Sequence, residues 1–351
     1  MAMSKGKGPR RAMGTLSLAA ISFVALVLTA GLAARAAGLD EGVRFFRIGT
    51  GSTSGTYFPV GGIIASAISN PPGSRDCDKG GSCGVPGLIA VAQSTQGSVE
   101  NVEKIQSGQL DSGFSQSDIA YWAYHGERLF SESGPQQNLR SLANLFPESV
   151  QIVVDRRAGI LRIADLKGKR ISVDRVGSGT HADALLILQA FGLGPENMEL
   201  VNLSLGAAAD EIRDGDLDGL IIVAGTPTNG VTQLADESLV TLLSLTEAEM
   251  DQLVAAYPFF SKSTVESGTY FNIPFTHTLA VGAQWLVSAE IDEDLVYDIT
   301  AALWHNNIQK LLYEGHLQGQ HISLETALEG VSSPPLHPGA ARYYREKGML
   351  P

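Results

Sequence analysis

Apolar residues in this chain come in short runs, most of them closed by loops rich in glycine and hydroxyl side chains. The runs at 43–48, 88–92, 171–173 and 217–223 have the length and composition of buried strands, and Gly113-Phe114 marks another. Ile63-Ile64-Ala67-Ile68 and Ala184-Leu185-Leu188 instead repeat at the spacing of one helix face. A further helix is expected over 99–105, with Ser98 as N-cap and Glu100 and Glu103 favourably placed near its start. Two longer apolar stretches, 142–154 and 279–287, read as strands crossing between two bodies, and 290–312 as a helix-rich finish on the first. Strands alternating with helices imply an α/β fold.

The same order of signals occurs twice. Arg47-Ile48 leads through a glycine and hydroxyl loop to Ser54-Gly55-Thr56, and Arg170-Ile171 leads to Ser178-Gly179-Thr180. Each unit then carries Ile-x-x-Gly-x-Leu-Asp before a strand, at Ile105 to Asp111 and at Ile212 to Asp218. Strand, glycine turn and helix N-terminus together make an anion site, because free N–H groups and the helix dipole converge there. Two such units imply two lobes with one small molecule between them, and two crossings imply a hinge. The expected division is 43–145 plus 279–351 for lobe 1 and 146–278 for lobe 2.

The N-terminus changes the address of the protein. Lys5, Lys7, Arg10 and Arg11 precede an apolar run at 16–30, and Ala34-Arg35-Ala36 offers a cleavage site. Residues 1–36 therefore read as a removed signal peptide. Losing its five basic residues takes the formal charge from −12 to −17. So acidic an exported chain does not suit nucleic acid or anionic lipid. Cys77 and Cys83, the only cysteines, sit in a glycine-rich stretch and are expected to form a disulfide in an oxidising compartment.

The run Ile48-Gly49-Thr50-Gly51-Ser52-Thr53-Ser54-Gly55-Thr56-Tyr57-Phe58-Pro59-Val60-Gly61 resembles the first ligand loop of TAXI-type solute receptors of TRAP transporters. The resemblance continues through Gln93-Ser94-Thr95-Gln96-Gly97-Ser98-Val99-Glu100-Asn101 and Val176-Gly177-Ser178-Gly179-Thr180, and closes at His337-Pro338-Gly339-Ala340-Ala341-Arg342-Tyr343-Tyr344. It implies a type-2 periplasmic-binding-protein fold of two α/β lobes with the ligand in the interlobe cleft. It also implies a periplasmic location, delivery of solute to TRAP membrane permease subunits, and a glutamate-like amino acid or dicarboxylate as ligand, with no cofactor. Asp174-Arg175, ahead of the second loop, departs from the smaller or apolar residues expected. Arg175 is either a cation for a second carboxylate or a solvated partner of Asp174.

Thr53, Ser54, Gly55 and Thr56 are expected to offer hydroxyls and N–H groups to a carboxylate, with Tyr57 closing over it or donating its hydroxyl. Gln93, Ser94, Gly97 and Ser98 form a second cradle, and Asn101 reaches the ligand or bonds within its helix. Ser115, Gln116 and Asp118 end the next strand, Asp118 serving an ammonium group or as a helix cap. Gly177, Ser178, Gly179 and Thr180 face them from the other lobe, with Gly225 and Thr226 behind.

Competing chemistry finds little here. Gly51-Ser52-Thr53-Ser54-Gly55 has threonine where a nucleophile elbow needs serine. His181 as base to Ser178 would make a hydrolase, but a surface histidine at a helix start is the plainer account. The turn Asp214-Gly215-Asp216-Leu217-Asp218-Gly219 has Gly225 where an EF-hand needs glutamate. A sensor feeding a membrane signalling protein, in place of a permease, is the alternative within the same fold.

Overall fold

The computed structural model describes residues 1–2 and 42–351; the expected cleavage site and apolar run lie outside them. The chain divides into Met1–Val43 and Arg44–Pro351, and the architecture described is that of Arg44–Pro351. It opens with β1 (Arg44–Gly49), α1 (Tyr57–Ile68), the short β2 (Ser69–Asn70) and β3 (Val85–Pro86), β4 (Leu88–Gln93), α2 (Ser98–Gln106), β5 (Ser112–Gln116) and α3 (Ser117–His125). The long β6 (Leu139–Asp155) leads into β7 (Arg170–Ser172), α4 (Gly179–Ala190), β8 (Glu199–Val201), α5 (Leu205–Asp214), β9 (Gly219–Ala224) and α6 (Asn229–Asp236). Then come β10 (Val240–Leu242), α7 (Glu247–Ala256), β11 (Ser261–Val265), the returning β12 (Thr276–Ser288), α8 (Glu293–Leu303), α9 (Asn306–Gly315) and α10 (Pro338–Glu346).

The main sheet runs β4-β1-β5-β12-β6-β9-β7-β8, with β10 on β6 and β11 on β12. β1 pairs in parallel with both β4 and β5, and β7 with both β8 and β9. Each parallel set therefore reverses its order at its first strand, which is where α/β folds place ligands. β6 and β12 run antiparallel to each other and join the two sets. Helices cover both faces, so β5 and β9 are buried at every residue, and β9 reads as an unbroken apolar run. Phe46, Ile64, Phe114, Trp285 and Tyr344 lie in one core of the first lobe, and Val102, Ile105 and Trp122 in the other. Ile152, Ile171, Ile187 and Leu253 form one core of the second lobe, and Leu205, Ile212, Leu220 and Tyr270 its opposite face.

The duplicated motif has a structural job. Asp111 Oδ2 accepts the Arg47 N–H at 2.7 Å, and Asp218 Oδ2 accepts the Arg170 N–H at 2.9 Å. In each unit the aspartate that opens the third strand clamps the first strand. The turn before it needs a left-handed residue, supplied by Gly108 (φ 73°) and Gly215 (φ 84°). This accounts for the acid-rich turn at 214–219 without a cation.

The helix-rich finish expected at 290–312 is present as α8 and α9. It is broken between them, because His305 Nδ1 accepts the Asn307 N–H and caps a new helix. Helix α7 escaped the sequence reading, although Thr246 and Glu249 cap it reciprocally. Cys77 and Cys83 are joined, with Cα atoms 4.7 Å apart, and Asn307 Nδ2 lies 3.2 Å from Cys83 Sγ. Among the described residues no helix is long and apolar enough to cross a membrane.

Candidate functional site

The loops beyond the two strand-order reversals face each other and enclose a cavity of about 50 Å³. Gly51, Ser52, Gly55, Thr56 and Tyr57 line it from beyond β1, Gln96, Gly97 and Ser98 from beyond β4, and Gln116 from the end of β5. The crossing strand β6 contributes Glu148. Asp174, Ser178, Gly179 and Thr180 enter from beyond β7, with Leu205 and 222–224 behind them. A water position needs roughly 10–15 Å³ on this measure, so the cavity has room for about four waters.

Three helices start here without a side-chain cap: α1 behind Thr56, α2 behind Gly97 and α3 behind Gln116. Such helix starts leave first-turn N–H groups in need of an acceptor, which favours an anion. Helix α4 differs, since Ser178 Oγ accepts the His181 N–H at 3.0 Å.

The lobes are closed on each other. Thr56 Oγ1 donates to Gly225 O at 2.9 Å, the Glu100 N–H to Gly177 O at 3.0 Å, and the Gly230 N–H to Ser54 O at 3.2 Å. Gln116 Nε2 donates to Asp183 Oδ2 at 3.1 Å, and the Gln318 amide donates to Thr226 O. Gly179 sits so close to the first lobe that a Cβ there would lie 1.4 Å from Gln116 Oε1. The residue must be glycine for this approach.

Other expected ligand residues hold the loops in place. Asn101 is fully buried and donates to Thr50 O and Phe114 O at 2.7 and 2.8 Å, while its Oδ1 accepts from Thr95 Oγ1. It therefore welds three loops, and bonds neither within its helix nor at the cavity. Ser94 Oγ donates to Gly51 O, Ser115 Oγ to Gln116 O, and Ser54 Oγ pairs with Ser52 Oγ. Thr53 and Gln93 are exposed. Arg175 does not line the cavity; its Nη2 lies 3.5 Å from Thr95 O, and its buried Nε has no partner. Among the described residues it forms no salt bridge, but its charge acts on both Asp174 and Glu100.

The acids are the part that sequence reasoning underrated. Tyr57 OH donates to Glu148 Oε2 at 2.6 Å, and its ring packs edge-on against Phe114 and Phe146. Burial, helped by the nearby Asp118 charge and opposed by the Tyr57 hydrogen bond, pushes Glu148 up to about 8. Burial also raises Asp118 and Asp174, and raises Asp183 strongly with the Asp118 charge next to it. Asp118 stands at the start of α3 with the N–H groups of its own residue and of Ile119 acting on its carboxyl, as a helix-start acid would, although neither oxygen has a well-aligned partner. Glu148 could have been found as the one acid within the mostly apolar stretch 142–154. Gln318 and Asp183 carried no local signal.

The geometry offers no nucleophile and base pair at Ser178. The serine hydroxyl meets the His181 backbone, whereas the ring Nδ1 lies 3.0 Å from Asn202 Nδ2.

The malate-bound MatC of Rhodopseudomonas palustris superimposes with a TM-score of 0.50 at 12% identity, over 87% of this chain and 96% of that one. The alkanesulfonate-binding protein SsuA of Xanthomonas axonopodis pv. citri, bound to MOPS, gives 0.47 at 18% identity over 88% and 84%. PhnD1 of Prochlorococcus marinus in complex with methylphosphonate gives 0.49 at 8% identity over 87% and 99%. The strand order and the likeness to MatC give the fold as that of type-2 periplasmic binding proteins, two α/β lobes on crossing strands. Residues 48–348 match the model of the NMT1-like family, and since that stretch takes in nearly all of the fold, the chain belongs to the NMT1-like family.

Proposed function

We propose that this protein is a periplasmic solute receptor of the TAXI type. It captures a small carboxylate between lobe 1 (43–145 plus 279–351) and lobe 2 (146–278), and delivers it to a TRAP-type permease. The observation that carries the reading is the start of both α1 and α2, without side-chain caps, at one interlobe cavity. A carboxylate there accepts from N–H groups of α1 and α2 and from the hydroxyl of Ser98, at roughly 1.5–3 kcal/mol for each charge-assisted bond. Three or four such bonds give micromolar binding, about 8 kcal/mol. Glu148, neutral near its value of about 8, serves as a donor to the ligand, its other oxygen being held by Tyr57. The cavity favours a solute of few heavy atoms, and a fold neighbour that binds malate is in keeping with that class. The link to a TRAP permease rests on the motif runs at 48–61, 93–101 and 176–180.

The test is native mass spectrometry of the protein from periplasmic extract, before and after denaturation and refolding. A ligand-sized mass excess that disappears supports the reading and identifies the solute. No excess, with no rise in melting temperature from glutamate, 2-oxoglutarate or malate, refutes the carboxylate assignment.

A further inference from the structure

Behind the cavity, two carboxyl groups from opposite lobes meet. Asp118 stands in the first turn of α3 in lobe 1, and Asp183 on α4 in lobe 2. Asp118 is 1% exposed and Asp183 fully buried; Asp183 Oδ1 lacks a partner, and the Asp118 oxygens have no well-aligned one beyond the nearby N–H groups of Asp118 and Ile119 and the facing Asp183. Gln116 Nε2 satisfies only Asp183 Oδ2. The other titratable groups facing the pair are Glu148 on β6 and, through it, Tyr57 on α1. Both add negative or neutral character, and among the described residues no arginine, lysine or histidine acts on either aspartate. Two bare carboxylates cannot be left facing each other in such a place. The residues that line the cavity include Gln116 and Glu148 but neither aspartate.

We propose that Asp118 and Asp183 form a proton site built across the seam, so that closing the cleft takes up one proton from solvent. The proton bonds to one carboxylate oxygen and is shared with the other as O–H···O⁻. When the lobes part, both groups face water and the proton leaves. Burial and mutual repulsion raise the affinity for that proton in the closed form, consistent with the raised values of both groups. The sign follows: the contribution to closure is full below the open-state value and is lost as pH rises through the closed-state value.

The inference rests on the reading of a hinged receptor, and its test uses no solute. Donor and acceptor dyes at exposed Glu314 of lobe 1 and Gln233 of lobe 2 report the interlobe distance of ligand-free protein from about pH 8 to about pH 5. The expected result is two distances whose closed-to-open ratio rises by up to about tenfold per pH unit. Asp183→Asn, whose amide can donate to Asp118, should flatten that slope, and Asp118→Asn should do the same. Two distances in a pH-independent ratio overturn the proton site alone, as does a slope unchanged in both variants. A ratio that follows added calcium or chelator also overturns it. A single distance at every pH overturns the hinge with it.

Discussion

Replacing Gly179 with alanine would place a methyl carbon 1.4 Å from Gln116 Oε1, 2.5 Å from Gln116 Cδ and 2.8 Å from Ser98 Oγ. All three atoms belong to the other lobe, so the collision exists only when the cleft is shut. Gly179 opens helix α4 and is not among the residues with positive φ, so alanine meets no backbone strain. In the open protein it is the better helix former, by at most about 0.5–1 kcal/mol. To close, Gln116 must swing aside and lose its bond to Asp183, at about 1–3 kcal/mol for the buried groups left unpaired. Residual overpacking adds about 1–3 kcal/mol. Together these put the loss of affinity at roughly thirtyfold or more. The assay pairs calorimetric titration of a bound solute with a melting curve of the ligand-free protein. Affinity should collapse while the melting temperature holds or rises slightly. Wild-type affinity in Gly179→Ala would refute the closed arrangement on which the site is built.

Asn101→Ala should act on the fold more than on the ligand. It takes the Asn101 donor from Phe114 O and from Thr50 O, although Thr95 Oγ1 still donates to Thr50 O and accepts the Gly97 N–H, which predicts a loss of about 1–3 kcal/mol in urea unfolding of ligand-free protein. Glu148→Gln should weaken the pH dependence of stability. With a folded-state value of about 8, above the ordinary 4.5, Glu148 binds a proton in the native state that the unfolded chain has released. Its contribution is thus full below about pH 4 and falls as pH rises towards 8, by several kcal/mol in total. Unfolding curves at a series of pH values should show a shallower decline in the variant, and an unchanged decline would count against a buried neutral Glu148. Gln318→Ala removes the hydrogen bond to Thr226 O across the cleft and should cost about tenfold in affinity, read by calorimetry, with little change in melting temperature. Cys77→Ser with Cys83→Ser opens a loop of only a few residues and should cost about 2 kcal/mol or less.

What could be read in advance follows from how local each feature is. The two Gly-Ser-Gly-Thr loops and their helices are written in consecutive residues, so Gly55, Thr56, Ser178, Gly179 and Thr180 could be placed at the cavity from pattern alone. The repeated aspartates were visible too, but their role as clamps on Arg47 and Arg170 was not, because each pair spans dozens of residues. Asn101 shows the opposite failure: it sits in the right loop, yet tertiary hydrogen bonds draw it away from the ligand. Arg175 was weighed for its charge, whereas the burial of its Nε in the seam depends on the lobes meeting. Asp183 and Gln318 enter the picture only through that meeting, which no local spacing encodes.

The two crossing strands, β6 and β12, form an antiparallel ribbon whose register slips at 283–284 and again at 285–286. Such a ribbon resists stretching along its length but bends readily across it, most easily where the ladder is interrupted. A hinge there would open the lobes like the covers of a book, about one axis through residues 141–146, opposite the two slips. Glu148 lies two residues from that spine and would move little, whereas Gly97 and Ser178, beyond strands β4 and β7 at the margins, would travel farther. On the receptor reading proposed above, a solute meets Glu148 and the α1 loop as a standing surface, and the margins decide how long it stays. Substitutions near the spine should act mainly on how fast solute is captured, and those at the margins on how slowly it escapes.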